Sequence, residues 1–120
     1  MKKLLCIYAD KTVDSQEKLD ALTKSRIYGE LLKNQSVKIV VVYGNSHEFK
    51  VEGDNIYLPC QDRYDALSIK TYQMISHCYD NFEFDVLFKV DVSLIGYVEN
   101  SKAGYRKEVR QHFYDVNRVL

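Results

Sequence analysis

Residues 39–42 read Ile-Val-Val-Val inside the segment Val37–Tyr43, where Lys38 is the one charged residue. Consecutive β-branched side chains are stiff at χ1 and pack better on a pleated strand than in a helix. They also show no polar alternation, which is the pattern of a strand covered on both faces. Such a strand needs packed elements above and below it, which excludes a simple helical bundle or a one-sided meander. Gly44–Ser46 then breaks the run.

Two further segments read the same way. Lys3–Ala9 is short and apolar, and Phe84–Val90 carries Phe84, Val86, Leu87, Phe88 and Val90 with Asp85 and Lys89 interposed. Helical spacings separate these strands. One helix is predicted to start at Asp14 or Ser15, either of which can cap a first turn. It runs through Leu19, Leu22, Ile27 and Leu31 to about Lys33. A second opens at Asp62 as cap, with Asp65 three residues on as a weak capping box. Its apolar stripe is Tyr64, Leu67, Thr71, Ile75 and Cys78, which assigns Tyr64 to the core. Gly53-Asp54-Asn55 marks a turn before a short strand, Ile56–Leu58, which Pro59 ends. A last helix carries Tyr105, Val109, Phe113, Val116 and Leu120. The order β-α-β-β-α-β-α predicts a single α/β domain over residues 1–120. It would be a three-layer sandwich with a mostly parallel sheet and helices on both faces.

Composition removes several function classes. The 120 residues suit one domain, and 17 Lys+Arg balance 17 Asp+Glu. With no net basic field, neither nucleic acid nor an anionic membrane is expected as the main partner. Apolar runs fall well short of the roughly 20 residues of a membrane span. Leu4–Ala9 is too short for a signal peptide, so a cytoplasmic location is expected. Cys6, Cys60 and Cys78 are widely separated and odd in number, which argues for reduced thiols rather than a disulfide framework or paired-cysteine zinc site. His47, His77 and His112 have no ligand spacing. No phosphate-binding glycine loop is present, so neither a P-loop nucleotidase nor a dinucleotide-binding enzyme is indicated.

Ligands of open parallel sheets bind outside the carboxyl ends of the strands. Those ends are Asp10–Asp14, Gly44–Glu48 and Asp91–Tyr97. Asp91 leaves the last strand just after Lys89. A carboxylate there needs water, donors or a cation. It could hold a divalent cation or a ribose hydroxyl, or it could cap backbone amides or pair with Lys89. Lys70 either reaches along its stem to solvent or helps to order a pocket.

The stretch QDRYDALSIKTYQMISHCYDNFEFDVLFKVDVSLIG, residues 61–96, resembles the β-1,3-galactosyltransferase-like glycosyltransferase family. That family's pattern is an Asp, a Tyr two residues on, then a Leu and a Lys-Thr in one helix. After a spacer comes a hydrophobic strand ending in Lys-x-Asp-x-Asp. Asp62, Tyr64, Leu67, Lys70, Thr71, Lys89 and Asp91 occupy the matching positions. Upstream, Arg26 and the strand Val37–Gly44 stand where the family has an arginine-bearing helix and its second strand. The departure is Ser93, which replaces the second aspartate of the acidic motif.

The resemblance implies a glycosyltransferase-A fold with a Rossmann-like nucleotide-binding half. It implies a UDP-sugar donor and a glycan hydroxyl as acceptor. Mn²⁺ or Mg²⁺ would be held against the donor diphosphate by Asp91 and, more weakly, by the neutral Ser93. Asp10, Lys11 and Thr12 would contact base and ribose, and Asp62, Lys70 and Lys89 would support the donor site. No spacing selects a catalytic base among Glu99, Glu108 and Asp115. A complete enzyme of this type has a second half that supplies acceptor binding and the base. This chain is therefore expected to hold the sugar-nucleotide half, with the other half in a longer chain or a partner. Tyr72, Tyr79, Tyr97, Tyr105 and Tyr114 could stack on sugar rings or form a protein contact, including a homo-oligomer through the last helix.

Two other readings compete. A non-catalytic module of the same fold would bind a nucleotide, a saccharide or a protein, and Ser93 favours it. A phosphoacceptor receiver domain fits the length. It lacks an acidic pair after the first strand, however, because Asp10 stands alone before Lys11.

Overall fold

The computed structural model describes residues 1–92. Ser93, the last predicted helix with Tyr105 and Leu120, and the candidate bases Glu99, Glu108 and Asp115 lie outside the described residues.

Strand β1 spans Lys3–Tyr8, followed by helices α1 (Val13–Thr23) and α2 (Arg26–Lys33). Then come β2 (Val37–Tyr43), β3 (Lys50–Glu52) and β4 (Asn55–Tyr57). A 3₁₀ turn at Tyr64–Ala66 leads into α3 (Leu67–Asn81), and β5 (Val86–Asp91) ends the described chain. The five strands form one sheet in the order β3-β4-β2-β1-β5. All pairings are parallel except β3 with β4. The domain is thus a small α/β unit with a mostly parallel sheet.

Alternate residues of the central strands feed two separate cores. Leu5, Ile7, Ile39, Val41, Val86, Phe88 and Val90 form one, with Leu22 and the half-buried Leu19, Tyr28 and Leu31 of α1 and α2. Leu4, Cys6, Tyr8, Val40, Val42 and Ile56 form the other, with Met74 and Cys78 of α3. This is the two-sided burial that the Ile-Val-Val-Val run requires. The thiols of Cys6, Cys60 and Cys78 are free.

Several local expectations are corrected. The single helix from Asp14 to Lys33 is two helices, broken at Lys24–Ser25. The Ser25 hydroxyl donates to the Leu22 carbonyl at 2.7 Å and accepts the Tyr28 amide at 3.2 Å. One serine therefore closes the first helix and caps the second. The cap of α1 is Thr12, whose Oγ1 accepts the Ser15 amide at 3.2 Å; neither Asp14 nor Ser15 has that role. Lys50–Glu52 is a strand, which its fully exposed pattern concealed. Asp62 caps no helix, since α3 begins after the 3₁₀ turn without a side-chain cap. Tyr64 is exposed rather than core, and Ile75 yields its place on the buried stripe to Met74.

Counted in chain order, the parallel strands β1, β2, β4 and β5 lie in the spatial order third-second-first-fourth. The chain moves outward from β1 to β4, then returns to the other side of β1 for β5. The carboxyl ends of β1 and β5 therefore flank a topological switch point, where an open α/β sheet leaves a crevice.

Candidate functional site

A crevice of about 220 Å³ opens at that switch point. Its lining comes from three places: the β1 end and the following loop (Tyr8, Asp10, Thr12, Ser15), the approach to α3 (Asp62, Arg63, Tyr64, Lys70), and the β5 end (Asp91, Val92). Register explains the third contribution, because Asp91 pairs with Tyr8 across the parallel ladder.

The loop after β1 is held by its own side chains. One Asp10 carboxylate oxygen accepts the Thr12 amide at 2.9 Å and also the Thr12 hydroxyl. The buried Ser15 hydroxyl accepts the Asp10 amide at 3.0 Å. Gln16 donates from Nε2 to the Asp10 carbonyl at 2.8 Å. Asp10 thus faces the crevice from a fixed turn.

Behind the crevice lies a buried ion pair. Lys70 is 3% exposed, on the sheet-facing side of α3. Its ammonium donates to Asp62 Oδ1 at 2.7 Å and to the Ala9 carbonyl at 3.1 Å, and sits 4.7 Å from the Tyr8 ring centroid. The other Asp62 oxygen accepts the Gly44 amide at 2.8 Å, and the Asp62 amide donates to Asn45 Oδ1 at 3.0 Å. Lys70 therefore does not reach to solvent. Asp62 and Lys70 satisfy each other and tie the ends of β1 and β2 to α3.

Tyr8 completes the floor. Its hydroxyl donates to Thr71 Oγ1 at 2.9 Å, and Lys89 lies 5.0 Å from its ring centroid. Burial pushes the Tyr8 phenol above its ordinary value, with the Thr71 hydrogen bond opposing. Burial also raises the half-buried Cys60 thiol, which the nearby Lys70 charge opposes.

Of the residues the sequence placed around a donor, Asp10, Thr12, Asp62, Lys70 and Asp91 line the crevice. Lys11 does not. Its ammonium lies 4.0 Å from the centroid of Tyr43, which stacks on Tyr57 in the core of the α1–α2 side. Lys89 is not part of the lining either; its ammonium lies 5.0 Å from the Tyr8 ring centroid. The Gly44–Glu48 end lends the crevice backbone support through Asp62 rather than lining. Tyr8, Ser15 and Arg63 were not foreseen as lining, whereas Val92 lies in the expected Asp91–Tyr97 strand end. For Tyr8 the available signal was parallel register, which sets it opposite Asp91.

Asp62 is paired with Lys70, Asp14 with Lys18 at 2.9 Å and Arg63 with Asp65 at 3.3 Å, while Asp10 and Asp91 add two further carboxylates to the lining. Among the described residues no group of three or more His, Cys, Asp or Glu side chains converges to hold a metal ion. One exposed carboxylate at a strand end still fits Mg²⁺ or Mn²⁺, which often take one or two protein carboxylates and complete their shell with substrate phosphates and water. No helix among the described residues is long and apolar enough to cross a membrane.

The arrangement defines an α/β domain with a polar crevice at a strand-order reversal. Compared with known proteins, the chain matches no protein-family model, no curated protein and no solved structure.

Proposed function

We propose that this domain is the sugar-nucleotide-binding half of a glycosyltransferase of the β-1,3-galactosyltransferase-like type, with the three-layer glycosyltransferase-A fold. The observation that carries the reading is the position of Asp91: the last residue of β5, exposed, lining a crevice at the switch point beside the end of β1. That is where open parallel sheets take nucleotides. The residues 61–96 pattern supplies the chemical class: a UDP-sugar donor and a glycan hydroxyl as acceptor.

In this reading Asp91 holds Mn²⁺ or Mg²⁺ against the donor diphosphate, with Ser93 as a weak neighbour. The cation would supply positive charge to the departing diphosphate. Asp10 and Thr12 accept or donate hydrogen bonds to ribose hydroxyls from their fixed turn. Asp62 and Lys70 serve as the frame behind the crevice, because their polar atoms are already engaged with each other, with Gly44 and with Ala9. Transfer is a direct displacement in which a general base takes the acceptor proton. That base belongs to Glu99, Glu108, Asp115 or a second half of the protein.

Calorimetric titration of the chain with UDP, with and without MnCl₂, tests the reading. Expected is Mn²⁺-dependent binding, weakened by about tenfold or more in Asp91→Ala, since affinity follows the number of anionic ligand oxygens. Absence of binding at millimolar UDP, or equal binding by the variant, overturns it. Ser93 favours a second reading, a module that binds the nucleotide without transfer. UDP binding without hydrolysis or transfer from UDP-sugars distinguishes that case.

A further inference from the structure

We propose that Tyr64 is the stacking platform for the nucleobase, so that the base lies on the wall formed by the 3₁₀ turn rather than in the Asp10–Asp14 loop. This deepens the UDP-sugar reading and rests on it.

The helical stripe assigns Tyr64 to the core, yet its side chain is 91% exposed and lines the crevice. Its position is fixed from both sides. Ala66, two residues on, is buried, and its amide donates to the Arg63 carbonyl at 3.0 Å. Asp62, two residues before, is pinned by Lys70 and by the Gly44 amide. The backbone that carries this ring is thus fixed at the mouth of a polar crevice, and the ring itself is almost wholly exposed.

A nucleobase needs a flat π or apolar surface to stack on. The loop side offers Asp10, Thr12 and Asp14, which suit hydroxyl groups rather than a ring face. The other aromatic residue of the lining, Tyr8, is 2% exposed, and Lys70 and Lys89 approach its ring at 4.7 and 5.0 Å. Among the described lining residues, Tyr64 is therefore the aromatic ring with accessible faces. A base on Tyr64 also leaves the side lined by Asp10, Thr12 and Asp91 to ribose, diphosphate and cation, which avoids burying the ring against carboxylates.

The chain contains no Trp, so Tyr64→Trp introduces a single indole reporter at the proposed contact. UDP and inorganic pyrophosphate, each with MnCl₂, are titrated into the full chain as wild type, Tyr64→Phe, Tyr64→Ala and Tyr79→Ala. Tyr79 is a control exposed on α3 outside the crevice lining. Stacking predicts that Tyr64→Ala loses about tenfold or more in UDP affinity, while Tyr64→Phe and Tyr79→Ala stay within about twofold. Pyrophosphate, which has no ring, binds all four proteins alike, and UDP but not pyrophosphate quenches the indole. Equal UDP binding by wild type and Tyr64→Ala, an unmoved indole signal, or a parallel loss of pyrophosphate overturns the stacking role and leaves the nucleotide site standing. No UDP binding by wild type overturns both.

Discussion

Lys70 and Asp62 meet at 2.7 Å with side chains only 4% and 5% exposed, which makes them the one buried ion pair among the described residues. The other pairs are on the surface, where the benefit is small. Here each charge is taken out of water and depends on its partner and on backbone groups from two strand ends. The pair is therefore a structural commitment made at the back of the crevice.

Removing one partner should be severe. Lys70→Met leaves the Asp62 carboxylate buried against only the Gly44 amide, and Asp62→Ala strands the ammonium on the Ala9 carbonyl. Each is expected to destabilise the fold by about 3–5 kcal/mol. The double variant Lys70→Met/Asp62→Ala should lose clearly less than the sum, because no orphan charge remains. Urea unfolding of the four proteins measures this, and simple additivity would refute the coupling.

Gly44 has no room for a side chain. A Cβ built there would lie 2.6 Å from Asp62 Oδ1 and 2.9 Å from the Cys60 carbonyl oxygen. Asp62 cannot swing away without abandoning Lys70. Gly44→Ala should therefore cost about 1–3 kcal/mol through overpacking. Gly29→Ala, where a Cβ meets nothing within 4 Å, should be neutral or slightly stabilising because Gly29 sits in α2. Thermal midpoints of the two variants decide the matter, and equal behaviour would contradict it.

Tyr8 sets an alkaline limit. Burial raises its phenol above the reference value of 10.0, so the folded protein keeps this proton to higher pH than the unfolded chain does. Its stabilising effect is complete below the unfolded value and is lost as pH rises from there toward the folded one. Tyr8→Phe removes the titration together with the Thr71 hydrogen bond. It should be less stable near neutrality by about 1 kcal/mol and show a shallower decline above about pH 10. Unfolding free energies of both proteins across that range supply the comparison; parallel slopes would exclude a role for Tyr8.

The central strands were legible because their signal is local. Val37–Tyr43 matches the predicted segment, and the first strand differs only in ending at Tyr8 instead of Ala9. The break at Ser25 was not legible, since a serine without Gly or Pro reads as one more helix residue. It becomes a boundary only when its hydroxyl serves both helices. The stripe on α3 misplaced Tyr64 because the turn before the helix is 3₁₀, whose tighter period rotates the residue away from the sheet. β3 is antiparallel and exposed, so no burial pattern announced it.

The candidate site was legible as a set of residues, and its geometry was not. Asp91 could be placed from strand-end reasoning alone. Lys70 could not, because its partners are 8 and 61 positions away in the chain. Lys11 lies next to Asp10 in sequence but was drawn off by the Tyr43–Tyr57 stack.

The Lys70–Ala9 hydrogen bond joins α3 to the end of β1 at the crevice itself. The hollow consequently has no existence apart from the docked helix. Were α3 to lift from the sheet, the floor, the Asp62 brace and the Tyr64 wall would vanish in the same event. Anything bound there would resist that lifting, by an amount that grows with the logarithm of its concentration over its dissociation constant, and amide exchange along α3 would register occupancy of a site that the helix only partly lines.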